Sequence, residues 1–102
     1  MSKLSAEQIN SNLSNLSGWS FENDSIIRQF LFKDFIEALS FVNAVGLEAE
    51  KMDHHPDILM FAWNKVKITI STHNAGGVTE KDFSLAQKIE ERKKWVHASM
   101  NY

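Results

Sequence analysis

Apolar and polar residues change period several times along this chain, and each change marks a different element. Near the start, Ile9, Leu13 and Leu16 recur at helical spacing. Ser5-Ala6-Glu7-Gln8 ahead of them has the form of a capping box, with Leu4 and Ile9 at the two staple positions. A short first helix is predicted, with Gly18 ending the segment. Trp19-Ser20-Phe21 then alternates, Asn23-Asp24 carries turn chemistry, and residues 26–32 are rich in β-formers, which together predict a hairpin. Asp34 is placed to cap a second helix, in which Phe35, Leu39, Val42, Val45 or Gly46, and Ala49 form one apolar stripe. Gly46 weakens that helix by roughly 1 kcal/mol relative to alanine, and its missing side chain permits close packing.

In the second half, Pro56 disfavours α conformation at His55, so the second helix must stop near His54. Two strands follow, 58–63 and 66–72, joined at Asn64-Lys65. The latter alternates cleanly, with Val66, Ile68 and Ile70 to one face and Lys67, Thr69 and Ser71 to the other. Residues 73–77 form a loop containing Gly76-Gly77. Thr79 opens a third helix, on which Leu85, Ile89, Arg92 and Val96 share a face. The order α-β-β-α-β-β-α contains two hairpins. It predicts an α+β fold: a four-stranded antiparallel sheet with three helices packed on one face.

Composition narrows this picture. One hundred and two residues form a single domain, 1–102, with a modest core. A net charge of −2 and no basic stripe give no electrostatic reason to bind nucleic acid or an anionic membrane. The absence of cysteine excludes disulfides, iron–sulfur clusters and cysteine-ligated zinc. The start, MSKLSAEQIN, has no apolar signal region, and the longest apolar run, 58–63, is too short to span a bilayer. A cytoplasmic chain is expected.

Candidate chemistry concentrates between residues 50 and 82. Three of the four histidines, His54, His55 and His73, fall there, beside Glu50, Asp53, Asp57 and Asp82. Imidazole exchanges protons near neutral pH, so acid–base chemistry is the first reading. Glu50 and His54 stand four apart at a helix end, where a carboxylate can hold an imidazole in one tautomer. Asp82 also fits the acid of a capping box opened by Thr79. Trp63 suits either packing or contact with a flat ligand. His97 reads as surface. No standard zinc spacing such as HExxH is present, so no metal is expected.

Glu50, three residues, His54-His55-Pro56, six residues, Trp63, nine residues, His73, eight residues, Asp82: this pattern resembles the pterin-4a-carbinolamine dehydratase family. The resemblance implies the same α+β fold. The activity it implies is loss of water from 4a-hydroxytetrahydrobiopterin, which gives a quinonoid dihydropterin for recycling after aromatic amino acid hydroxylation. By that resemblance His54 and His73 transfer protons, His55 shares this role or binds the pterin, Trp63 contacts substrate, and Glu50 and Asp82 orient and polarise. No cofactor is needed. Which histidine is acid and which is base stays open. All the pattern positions match; the departures from the family lie between them, where Ile58 and Val78 would alter the shape of the pocket. Implied partners are the pterin, a functional link to an aromatic amino acid hydroxylase, and further copies in a homodimer or homotetramer. Three tryptophans and seven phenylalanines, many for so small a core, agree with self-association. Other roles within the family also fit: a dimerisation cofactor for a homeodomain transcription factor, or a pterin-binding protein of molybdopterin metabolism.

Overall fold

The structure, a computed structural model, describes residues 2–100, with side chains described as far as residue 96. Its elements are α1 (Ala6–Leu13), β1 (Ser20–Glu22), β2 (Ser25–Leu31), α2 (Phe35–Met52), β3 (Asp57–Phe61), β4 (Lys65–Ile70), a 3₁₀ turn (His73–Ala75) and α3 (Glu80–Met100). The strands form one antiparallel sheet in the order β1-β2-β4-β3. This is the expected architecture.

Local signals place most of the boundaries. Both bonds of the Ser5–Gln8 capping box form, at 2.9 and 3.2 Å, and Leu4 and Ile9 are buried as staple partners should be. Asn23 and Asp24, with φ of 51° and 59°, make the two-residue turn between β1 and β2. Such a turn matches the right-handed twist of the strands and favours Asn and Asp. Asp34 Oδ1 accepts the Glu37 N–H at 2.8 Å and starts α2.

The core lies on the sheet face covered by the helices. Ile26 and Phe30 of β2, with Val66, Ile68 and Ile70 of β4, are almost wholly shielded from solvent. They meet Phe41 and Val45 of α2 and Leu85 and Ile89 of α3 in one cluster. Each large side chain so buried contributes roughly 1.5–3 kcal/mol. Phe41 packs its ring against Phe30 at 4.7 Å and Phe32 at 4.9 Å. The expected face of α3 holds: Leu85, Ile89 and Val96 are buried, and Arg92 reaches across to α2. The His97 side chain lies outside those described. Among the described residues no helix is long and apolar enough to cross a membrane.

Two expectations need correction. The stripe of α2 holds at Val45 and Ala49 but is turned in the first half, where Ala38, Phe41 and Ala44 face inward and Phe35 and Leu39 are exposed. The inner face even includes Glu37 and Glu48. Glu48 is tolerated there because Arg92 Nε donates to its Oε2 at 2.6 Å, and this hydrogen bond holds the carboxyl below its ordinary 4.5. Gly46 faces solvent, and an added Cβ would meet nothing within 4 Å. It serves no close packing inside the chain.

The β3–β4 turn is also earlier than expected. It consists of Ala62, Trp63 and Asn64, the first two at positive φ of 46° and 57°. Such values are unusual for alanine and tryptophan. Asn64 enforces them: its carbonyl accepts from Phe32 N–H and its side-chain amide donates to Phe32 O, both at 2.9 Å. This double tie to the end of β2 outweighs the local preference for a longer strand.

Candidate active site

Three chain segments converge at one end of the sheet. The first is the end of α2. Asp53 closes the helix in the left-handed region, φ 50° and ψ 44°, which aspartate visits more readily than most residues. Its N–H bonds to Glu50 O at 3.1 Å, and the next N–H, of His54, bonds to Ala49 O at 3.0 Å. The chain therefore reverses, and the His54 side chain turns inward, where it is buried. Pro56 then keeps the backbone extended into β3.

The second segment follows β4. Thr72 N–H bonds to Gly77 O at 2.9 Å and closes a small loop, with Gly76 at φ 74° capping its 3₁₀ turn. His73 stands exposed at the start of that turn. The third segment is the first turn of α3, where Thr79 and Asp82 are fully buried.

Between them lies a cleft of about 350 Å³, with His54, His55, Thr72, His73 and Lys81 in its lining. At its floor Asp82 Oδ1 meets His54 Nε2 at 2.5 Å. Asp82 Oδ2 accepts the Thr72 hydroxyl at 2.9 Å and the Thr79 N–H at 2.8 Å. Thr79 Oγ1 lies 2.9 Å from Thr72 Oγ1. Since Thr72 gives its one proton to Asp82, the Thr79 hydroxyl must donate to Thr72. A carboxylate can only accept, so Nε2 of His54 carries a proton, and in the neutral ring the lone pair is then on Nδ1. Nδ1 has no partner among the described residues, and no buried side-chain nitrogen or oxygen there is left unsatisfied. Nδ1 is thus the atom open to the cleft.

Glu50 does not hold His54 as the i,i+4 spacing suggested. It pairs instead with His55, Oε1 to Nε2 at 2.8 Å, with both side chains exposed at 80% and 57%. The reversal at Asp53 breaks the helical register and swings His54 away from Glu50. The ring of His73 has no hydrogen-bond partner among the described residues. Asp82 fills both positions weighed for it, since it caps α3 through Thr79 N–H while it grips His54.

Trp63 lies outside this cleft. It is exposed on the β3–β4 turn, separated from His55 by the length of β3, roughly 16 Å at strand rise. Ile58 and Val78 also stand outside the cleft lining.

Thr72 and Lys81 join the site without having been singled out in the sequence. Thr72 had a legible signal: it continues the core-facing parity of Val66, Ile68 and Ile70, where a hydroxyl needs a buried partner. Lys81 had one too, as a cation in the first turn of a helix, where the dipole disfavours it.

Residues 2–92 match the family model described as pterin 4 alpha carbinolamine dehydratase. A protein of Metallosphaera sedula, provisionally named a pterin-4-alpha-carbinolamine dehydratase, is 41% identical over 95% of this chain and all of its own length. A Nostoc protein with the same provisional name is 49% identical over 86% of this chain and 94% of its own. The crystal structure of a Brucella melitensis protein, titled a transcriptional coactivator/pterin dehydratase, superposes with a TM-score of 0.85 at 39% identity. It covers 89% of this chain and 98% of that one. A pterin dehydratase-like protein identified as a RuBisCO assembly factor shares the fold alone, with a TM-score of 0.60 at 18% identity over 74% of this chain and 86% of its own.

Proposed function

The chain belongs to the pterin 4 alpha carbinolamine dehydratase family, and we propose that it eliminates water from 4a-hydroxytetrahydrobiopterin to give the quinonoid dihydropterin. The observation that carries this reading is the buried Asp82–His54 pair at the floor of a cleft rimmed by two further imidazoles. Pockets of a few hundred Å³ with convergent polar groups suit small flat ligands.

The elimination breaks the bond from C4a to the hydroxyl oxygen, which leaves as water after taking a proton. The N5–H proton departs, and its electron pair forms the N5=C4a bond. His54 presents an unprotonated Nδ1 while Asp82 accepts Nε2–H, so it is oriented to take a proton, and the imidazolium that results faces a carboxylate. His73, exposed and unpartnered among the described residues, exchanges protons with solvent and serves as donor to the hydroxyl. His55, steadied by Glu50, borders the pterin. No step requires a metal or redox cofactor. Each positioned proton transfer contributes on the order of 10²–10⁴ in rate.

In this reading the protein acts in the cytoplasm beside an aromatic amino acid hydroxylase, whose spent pterin it returns for reduction. It also self-associates as a dimer or tetramer. Support for assembly comes from Phe35, Ile36, Leu39 and Leu47, all exposed on α2. Trp63 cannot reach the pterin held by its own chain, so a substrate contact there would require a second copy. Light scattering at micromolar concentration checks assembly: a mass fixed near 11.7 kDa means a monomer.

The deciding experiment follows the transient carbinolamine made by a pterin-dependent hydroxylase, with and without purified protein. Faster loss at neutral pH without added cofactor is expected. A rate equal to the uncatalysed background at micromolar protein removes the enzyme reading and leaves a binding module.

A further inference from the structure

A second cavity, of about 310 Å³, adjoins the histidine cleft. The two share Ser71, Thr72 and His73, so His73 stands at their border. The new walls come from the β1–β2 turn, with Asn23 and Asp24, and from Asp57 at the start of β3. Neither carboxylate has an ion-pair partner among the described residues, and no lysine or arginine lines this cavity. In the histidine cleft, by contrast, the one lining carboxylate, Asp53, is offset by Lys81. Two adjoining cavities thus differ in charge.

We propose that this second cavity receives the substituent on C6 of the pterin, and that Asp24 and Asp57 make it select neutral hydroxylated chains over anionic ones. The inference rests on the dehydratase reading. C6 is bonded to N5, a reacting atom, so whatever C6 carries begins one bond from the chemistry and must leave the cleft beside the histidines. The adjoining cavity opens at His73. Hydroxyl groups entering it meet acceptors, since a carboxylate offers only lone pairs, and the Asn23 amide both donates and accepts. A carboxylate or phosphate on the same substituent meets two like charges. At about 4 Å in a wet site, one such repulsion weakens binding by roughly fivefold.

Fluorescence titration tests this with three stable pterins that differ only at C6: a methyl group, a dihydroxypropyl chain and a carboxylate. The wild-type protein should bind the dihydroxypropyl pterin at least fivefold tighter than the carboxylate. The double variant Asp24→Asn/Asp57→Asn should narrow that ratio about fivefold or more by improving the carboxylate. Both positions are exposed, and asparagine tolerates the positive φ of 59° at residue 24, so folding is preserved. A wild-type ratio near one, or a ratio the double variant does not move, overturns the subsite. Dehydration of the 6-methyl carbinolamine separates this from the parent reading. Turnover with an unmoved binding ratio sinks the subsite alone, and absence of turnover sinks the dehydratase assignment beneath it.

Discussion

His54 and His55 are adjacent in the chain, and each holds a carboxylate through Nε2, at 2.5 and 2.8 Å. By distance alone the two pairs are alike. Their surroundings differ completely. The acid facing His54 is fully buried and receives two further hydrogen bonds, from Thr72 and Thr79. The acid facing His55 is 80% exposed and only five residues away, within reach of water and salt. An exposed ion pair contributes little, because screening and lost side-chain freedom offset the attraction. A buried, fully bonded acid instead fixes the position and tautomer of its partner. The contrast teaches that burial and the remaining hydrogen bonds, not pair distance, separate a group built for proton transfer from a surface contact.

Four sets of variants test that contrast, from the largest effect to the smallest. His54→Ala and His73→Ala should each lower carbinolamine turnover, and the double variant should nearly abolish it, with an unchanged far-UV circular dichroism spectrum. A folded double variant with wild-type turnover would refute proton transfer by this pair. Next, Asp82→Ala should reduce turnover on the order of 10²-fold and lower stability by about 1–2 kcal/mol through loss of the α3 cap. In a double-mutant cycle, Asp82 and His54 should be strongly coupled, while Glu50 and His55 add independently.

The Glu48–Arg92 pair asks whether burial by itself matters to activity, since it joins α2 and α3 away from the cleft. Arg92→Leu should cost about 1.5–3 kcal/mol in urea unfolding, yet leave the KM for the carbinolamine as in wild type. The pH dependence has a definite sign. The folded-state carboxyl of Glu48 is held below the ordinary 4.5 by its hydrogen bond from Arg92. Its contribution is therefore fully present above 4.5 and is lost as pH falls through the lower folded value. The stability gap between wild type and Glu48→Gln should be flat from pH 7 to about 5 and close on further acidification. A gap that widens in acid would mean the sign is wrong.

The smallest effect belongs to the exposed pair. Glu50→Gln should change stability by no more than about 0.5 kcal/mol and turnover by less than about threefold. If it matched Asp82→Ala in turnover, the distinction between the two histidines would collapse.

Much of this molecule was legible because its signals are local. The Ser5–Gln8 box, the Asn23-Asp24 turn, the Asp34 cap and the β4 alternation each depend on a few neighbouring residues, and all appear as read. The 50–82 pattern likewise pointed to the segment that supplies the histidines and acid of the cleft. What failed was every choice among equivalent local options. On α2, the expected stripe holds at Val45 and Ala49, but at its start Phe35 and Leu39 were as apolar as Ala38 and Phe41, and only the fit against Phe30 and Phe32 selected the latter. On β3, residues through Trp63 suited a strand, until Asn64 was tied to Phe32, more than thirty residues away, and bent the chain early.

The histidines show the same division most sharply. By itself the sequence determined that imidazoles and carboxylates gather where a proline ends a helix, because proline geometry and helix register are short-range facts. It could not determine which acid serves which ring. Glu50 was the near candidate for His54, yet the left-handed turn at Asp53 moved that ring out of helical register. Asp82, 28 residues further on, took its place because α3 docks its first turn against the end of β4, with Thr72 and Thr79 completing the carboxylate's bonds. A buried charge must find all its partners at once. That requirement is met by packing three distant segments together, so it was decided by the tertiary structure.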